Sequence, residues 1–434
     1  MIKESEYKKR RETLAKKLSK NSITILFSAN NKTRSNDTNY PYRQNSNFYY
    51  LTGFKEDNSF LVILKGKKDV KIILFLQHKD EVYELWNGKR LGEEKAKKRF
   101  LVDLVLLSKD FKKSIKELST NIKYIYTDFN EKMPKAKKFL KDNFSVHKDI
   151  APLIGEMRLI KSKSEIKLIQ KAIKITKKAH HKAMSINKKN KNEYELLASI
   201  EYNFKKNGAY SDAYTSIVAC GDSANTLHYI SNDKPLVDDE LILIDAGCEY
   251  EYYASDITRT IPVSGKFSIA QKDLYNMILE TQYKIIQMIK PDVLRTDLQK
   301  QAEILLTKGL LSLGILKGNF KKLIEGQEHK KYYPHGIGHW MGLDVHDEAP
   351  YLDINKKEIA LKKGMVLTIE PGIYISKDDM NVPKRFRGIG IRIEDDILVT
   401  KKSYKYLSNK IAKTIKEIED ISKNVKSNSN FEEV

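Results

Sequence analysis

The chain has 434 residues, 41% hydrophobic and 31% charged, which suits a soluble globular protein large enough for two domains. No run approaches the ~18 consecutive apolar residues of a membrane helix, and no apolar segment follows the basic opening MIKESEYKKRRETLAKKL, so neither a membrane protein nor a signal peptide is expected. The net charge of +22 invites a nucleic-acid reading, but only 12 of the 79 basic residues are arginine and the lysines are scattered, which reads as a solvated basic surface with no nucleic-acid partner.

In chain order, SITILFSAN (22–30), FLVILKGKK (60–68) and VKIILFLQ (70–77) read as short apolar strands between turn residues. EEKAKKRFLVDLVLL (93–107) and EKMPKAKKFLKDNF (131–144) read as helices, so residues 1–155 are expected to form a mixed α/β domain. Pro152 and Gly155 mark a break, and a second domain is expected over 156–425 with a polar tail at 426–434. Ser162 and Glu165 have capping-box spacing ahead of a helix carrying Ile166, Ile169 and Ile173. A second helix carries Leu197, Ile200 and Phe204 and stops at Gly208; a third begins at Ser268 and Gln271 and ends by Pro291.

Strand pairs follow these helices: LILIDAG with ASDITRTIPV, then MVLTIEPGIYI with RGIGIRIEDDILVT. Two of them echo one another, because an apolar run ends in Asp245-Ala246-Gly247 and again in Glu370-Pro371-Gly372. That echo points to an internally duplicated α+β unit. A carboxylate at the end of a buried strand is costly unless a positive group compensates it. Asp245, Asp256, Glu370 and Glu394 all stand in such places, with Arg392 on the same strand face as Glu394. Any one of them could be satisfied by an arginine, a helix N-terminus or solvent. Bringing all four into one core calls for cations.

YYPHGIGHWMGLDVHDE (332–348) adds His335, His339 and His346, three of the nine histidines. The four-residue spacing of the first two suggests a zinc-protease helix. That helix needs Glu directly after the first histidine, where this chain has Gly336, and Gly338 opposes a helix further. A glycine-rich loop would instead present one histidine beside the carboxylates. Four carboxylates and an imidazole suit hard divalent ions such as manganese, and four negative charges balance two such ions. Cys248 and Cys220 form no disulfide framework and point to a reducing, cytoplasmic setting; Cys248 reads as a packing residue.

LILIDAGCEYEYYASDITRTIPVSGKF, HGIGHWMGLDVHD, VLTIEPGIYI and RGIGIRIEDDI resemble the metal-site blocks of the methionine aminopeptidase/prolidase/creatinase superfamily, and more closely the Xaa-Pro aminopeptidases. NYPYRQNSNFYYLTGFKEDNSFLVI and LWNGKRLGEE are similar to that family's N-terminal domain. The resemblance implies an N-terminal domain followed by a pita-bread catalytic domain, and hydrolysis of the bond between a first residue and a penultimate proline. It implies two divalent ions held by Asp245, Asp256, His339, Glu370 and Glu394, with Asp256 and Glu394 shared between them, and attack by a hydroxide between the ions. Glu370 would also shuttle protons. His228, His335 and His346 would face the substrate, Tyr374 and Arg392 would order the site, and Trp86 would reach a neighbouring subunit's site in a homo-oligomer, a dimer or tetramer. The rival expectations are a prolidase restricted to Xaa-Pro dipeptides and a non-catalytic binding protein on the same scaffold.

Overall fold

A computed structural model describes residues 1–130, 134–144, 146–186 and 188–423, so the tail expected at 426–434 lies outside the described residues. The chain divides into two compact units, Met1–Arg158 and Leu159–Val434.

The first unit is built on one six-stranded mixed sheet. Its order is Leu104–Leu107, Val70–Leu76, Phe60–Lys65, Ser22–Phe27, Tyr124–Thr127, His147–Asp149. Ser22–Phe27 is buried at all six positions, as befits a strand covered on both faces. It pairs antiparallel with Phe60–Lys65 and parallel with Tyr124–Thr127. One expectation is corrected here. The helix read over 93–107 ends at Phe100, Leu101 takes a positive φ of 51°, and Leu104–Leu107 is an edge strand parallel to Val70–Leu76. Four apolar residues in a row satisfy a strand as well as a helix, and the vacant sheet edge decides between them. Of the helix read over 131–144, Pro134–Asn143 is helical and 131–133 lies outside the described residues.

In the second unit a helix pair precedes an antiparallel sheet, and the arrangement then repeats. Helix Lys163–Ser185 starts from a capping box between Ser162 and Glu165 and packs on Glu193–Lys206. The strands Ile217–Cys220, Leu241–Asp245 and Thr258–Pro262 form the first sheet. Helix Ile269–Met288, capped by Ser268 and Gln271, packs on Arg295–Ser312. The second sheet follows: Val366–Ile369, Asp395–Val399 and Tyr404–Tyr406, with the hairpin Gly372–Ile375 and Ile389–Arg392 between its first two strands in sequence. This is the duplicated α+β arrangement expected from the two echoing strands.

The two halves meet where strand Thr258–Pro262 runs beside Arg392–Glu394. The Glu394 amide donates to the Thr258 carbonyl at 3.1 Å, and Thr260 Oγ1 donates to the Arg392 carbonyl at 3.0 Å. Behind this seam lies Arg259, fully buried and paired with the equally buried Asp395 at 2.8 Å. Its Nη1 holds the Thr258 and Glu394 carbonyls at 2.9 and 2.6 Å, and its Nε the Ala412 carbonyl at 2.9 Å. The pair therefore clamps the strand ends that carry two of the candidate carboxylates. Removing one partner of a buried ion pair costs roughly 3–5 kcal/mol. Arg259→Met is expected to lower the unfolding free energy of the metal-free protein by about that amount; an unchanged denaturant midpoint would refute the clamp.

Candidate metal centre

Each candidate carboxylate sits where regular pairing stops. Asp245 is the last residue of its strand, opposite Thr258, and Asp256 lies two residues before Thr258. Glu370 follows Val366–Ile369, and Glu394 occupies the gap between Ile389–Arg392 and Asp395–Val399. A strand end frees the backbone from the ladder and lets the side chain turn into the space between the two sheets. That space is a cavity of about 300 Å³.

Asp245, Asp256, His339, Glu370, Glu394, Arg392 and the three other histidines His228, His335 and His346 all line it. His339 Nε2 lies 3.2 Å from Asp256 Oδ2 and 3.6 Å from Glu370 Oε1. Ligand atoms of Asp256, His339 and Glu394 all lie within 4.8 Å of one another. Asp245 is gripped on both oxygens, by Arg392 Nη2 at 2.6 Å and by the Tyr214 hydroxyl at 2.7 Å. Thr258 donates to Glu394 Oε2 at 2.8 Å, and Thr368 donates to Glu370 Oε1 at 3.2 Å.

The histidine segment is a loop, with no helical residue between Tyr332 and Glu348. Close backbone approach at Gly338 holds it, since a Cβ there would stand 1.9 Å from the Thr368 carbonyl oxygen. That approach lets the Thr368 amide donate to the His339 carbonyl at 3.0 Å and the His339 amide donate to the Thr368 side-chain Oγ1 at 3.1 Å. His339 Nδ1 meets the Trp340 carbonyl at 3.1 Å, which leaves Nε2 facing the carboxylates. His335 is differently committed: Nδ1 meets the Gly336 carbonyl and Nε2 meets the Tyr374 hydroxyl, both at 2.8 Å. His346 packs edge-on against His339, ring centres 4.3 Å apart, and His228 is exposed at the mouth.

Burial, then the charges of Asp256, Glu370 and Asp245, push the Glu394 carboxyl well above the usual range. Burial likewise raises Glu370, to about 7, and Asp245. Burial opposes a charge on His339, but the Asp256 hydrogen bond and the Glu370 charge outweigh it and raise the imidazole to about 9. Burial lowers His335 to about 4, so it is a neutral ring. Among the described residues Arg392 is the only lysine or arginine lining the cavity, so four carboxylates face one fixed cation. Carboxylate oxygens with one imidazole are a donor set for hard divalent cations, and the excess negative charge here is what such cations would neutralise.

Residues 7–126 match the aminopeptidase P N-terminal domain and residues 167–401 match metallopeptidase family M24. The chain belongs to metallopeptidase family M24. Within it, the chain is 42% identical over 418 residues to the Xaa-Pro aminopeptidase of Haemophilus influenzae, covering 96% of each protein. It superimposes on a variant of Escherichia coli aminopeptidase P in complex with substrate with a TM-score of 0.94 at 36% identity, covering 98% of this chain and 99% of the other. A zinc-substituted form of that enzyme in complex with product gives 0.92 at the same identity and coverage. The fold is the aminopeptidase P N-terminal domain followed by the pita-bread domain, and the whole-chain likeness to Xaa-Pro aminopeptidases makes the chain a metal-dependent aminopeptidase.

Two expected residues lie off the cavity wall. Tyr374 stands behind it, bridging His335 and Arg392 Nη1 at 2.8 and 2.9 Å. Trp86 is in the N-terminal unit, 81% exposed on helix Glu81–Asn87. Conversely, Tyr214, Thr215, Ile217, Leu227, Ile230 and Val345 line the cavity and carry no metal-site signature in the sequence. Tyr214 places its hydroxyl on a candidate ligand, Asp245, from 31 residues upstream.

His339 also makes the metal-free protein pH-sensitive. Its folded value of about 9 exceeds the 6.5 of an unperturbed histidine, so its contribution to stability is complete below 6.5 and is lost as pH rises through about 9. Glu370, raised to about 7, acts in the same direction up to neutrality. The unfolding free energy of metal-free protein is therefore expected to fall between pH 7 and 9, and His339→Gln should flatten that slope. A slope of the opposite sign would show that the Asp256 contact does not hold the proton.

Proposed function

We propose that the chain releases the first residue of peptides whose second residue is proline, using two divalent ions, manganese for preference. The observation that carries this reading is the convergence of four carboxylates and one imidazole on a cavity with a single arginine. Asp245, Asp256, His339, Glu370 and Glu394 would hold them. When bound, the ions would supply Lewis acidity for the scissile carbonyl and lower the pKa of water.

The protein's own groups do the rest. Glu370 takes a proton from the attacking water and returns it to the departing proline nitrogen, which has no N–H in the peptide and must gain one. His228 and His346 donate to the carbonyl oxygen as negative charge develops on it. His335 is neutral and has both nitrogens engaged, so it offers its ring to the proline side together with the apolar Ile217, Leu227, Ile230 and Val345. Tyr374 and Arg392 keep His335 and Asp245 in place.

A dipeptidase must meet the free carboxylate of the departing proline with a cation. Arg392 gives one bond from each nitrogen to the site itself, to Thr258, Tyr374 and Asp245 at 3.1, 2.9 and 2.6 Å. The likeness to Xaa-Pro aminopeptidases over nearly the whole chain supports tripeptides and longer chains as the substrates, over the prolidase alternative. A binding protein on this scaffold has no need of five intact ligand positions. We also assign the chain to the cytoplasm, which two free, buried cysteines support, and to a homo-oligomer. Val82, Leu85 and Trp86, 72%, 81% and 81% exposed on one short helix, offer an apolar face for a second copy.

Two measurements test this. Asp256→Asn should retain the fold by circular dichroism and lose activity by more than the ~10–100-fold that losing an outer hydrogen bond of a metal site costs; unchanged activity would refute the metal mechanism. In a manganese-supplemented assay Gly-Pro-Ala should be cleaved and Gly-Pro left intact. Cleavage of Gly-Pro alone would replace the aminopeptidase with a prolidase.

A further inference from the structure

Among the cavity residues, Tyr214 has a role that neither the motifs nor the family blocks assign. It stands in the bend between Ser211–Asp212 and Ile217–Cys220, outside regular structure. The backbone on either side is nevertheless pinned to the strands that bear Asp245. Asp212 pairs with Cys248, the Ala213 amide donates to the Gly247 carbonyl at 2.9 Å, and Ile217 pairs with Asp245 itself. The ring lies against the turn that follows Asp245. A Cβ on Gly247 would come within 3.2 Å of the Tyr214 ring and 1.8 Å of the carbonyl oxygen of Ser255, the residue before Asp256. Tyr214 is thus wedged against the Asp245 turn beside the segment leading into Asp256, with its hydroxyl 2.7 Å from Asp245 Oδ1.

The second oxygen of Asp245 is taken by Arg392 Nη2 at 2.6 Å. A carboxylate oxygen has two lone pairs. One donor on each oxygen fixes the plane of the carboxylate and leaves a lone pair on each oxygen for a cation. Both donors also favour the ionised form, the only form that binds metal. A free carboxylate would lose rotational freedom on binding; this one has lost it already.

We propose that Tyr214 is a positioning residue of the metal centre, whose phenol O–H orients Asp245 through the oxygen that Arg392 does not hold and presets it for divalent-cation binding. The proposal rests on the assignment of Asp245 as a ligand. Its chemistry is a hydrogen bond only, so the hydroxyl takes no part in proton transfer.

Isothermal titration of Mn2+ into metal-free, full-length protein separates the possibilities. Tyr214→Phe removes only the hydroxyl and is expected to weaken binding about 10–100-fold with unchanged stoichiometry, the usual cost of losing an outer-shell partner. Activity at saturating Mn2+ should recover most of the wild-type value, so the deficit appears in the metal requirement more than in kcat. Tyr275→Phe is the control for simple packing. Tyr275 is buried, donates to the Lys413 carbonyl at 2.7 Å and touches no candidate ligand, so its variant should lose thermal stability without losing metal affinity. Wild-type affinity in Tyr214→Phe, or a lowered melting temperature with unchanged affinity, would make Tyr214 a packing residue and overturn the proposal. Failure of the wild-type protein to bind Mn2+ would instead overturn the metal-centre reading on which it stands.

Discussion

Four carboxylates packed around one cavity between two sheets repel one another, and a protein interior screens that repulsion poorly. Much of the surrounding structure makes sense as a response to it. Arg392 faces the cavity and grips Asp245, while Arg259 lies one layer behind and holds the carbonyls that flank Glu394. Thr258 and Thr368 each donate a hydroxyl to a carboxylate. These groups hold the oxygens in place without neutralising them all, and the remainder is left for cations. A core this polar would be unstable as an end in itself; as a receptor for divalent ions it is already assembled.

The duplicated architecture explains why the charges gather there. Each half ends a strand in a carboxylate, and the two halves join through the Glu394 amide and the Thr258 carbonyl. Strand ends from both sheets consequently open on the same space. The histidine loop enters from outside this symmetry, and the missing side chain at Gly338 lets it lie directly against Thr368. His335, His339 and His346 then differ by what their nitrogens already hold, not by their spacing. His339 keeps Nε2 for the carboxylates, whereas His335 has spent both nitrogens on Gly336 and Tyr374.

Much of this was legible in the chain itself. Apolar runs such as SITILF and LILID declare buried strands, and the capping boxes at Ser162 and Ser268 mark helix starts, because these are local preferences. Leu104–Leu107 is not legible as a strand, because four leucine and valine residues in a row carry no period and only a vacant sheet edge makes them one. Tyr214 left no signal at all. Its partner Asp245 is 31 residues away, and the bend that brings them together is set by ladders on either side. The partners of Arg392 were equally invisible, since Thr258, Tyr374 and Asp245 come from three different strands.

Local pattern was enough for the fully apolar strands, the capped helix starts, the excess of carboxylates at strand ends and the exclusion of a zinc-protease helix, because propensity, patterning and residue chemistry act within a few positions. Only the tertiary structure brings Tyr214 and Arg392 onto the two oxygens of Asp245 and Tyr374 onto His335. Those partners lie tens to more than a hundred positions apart, beyond the reach of any local preference, and packing alone sets their distance.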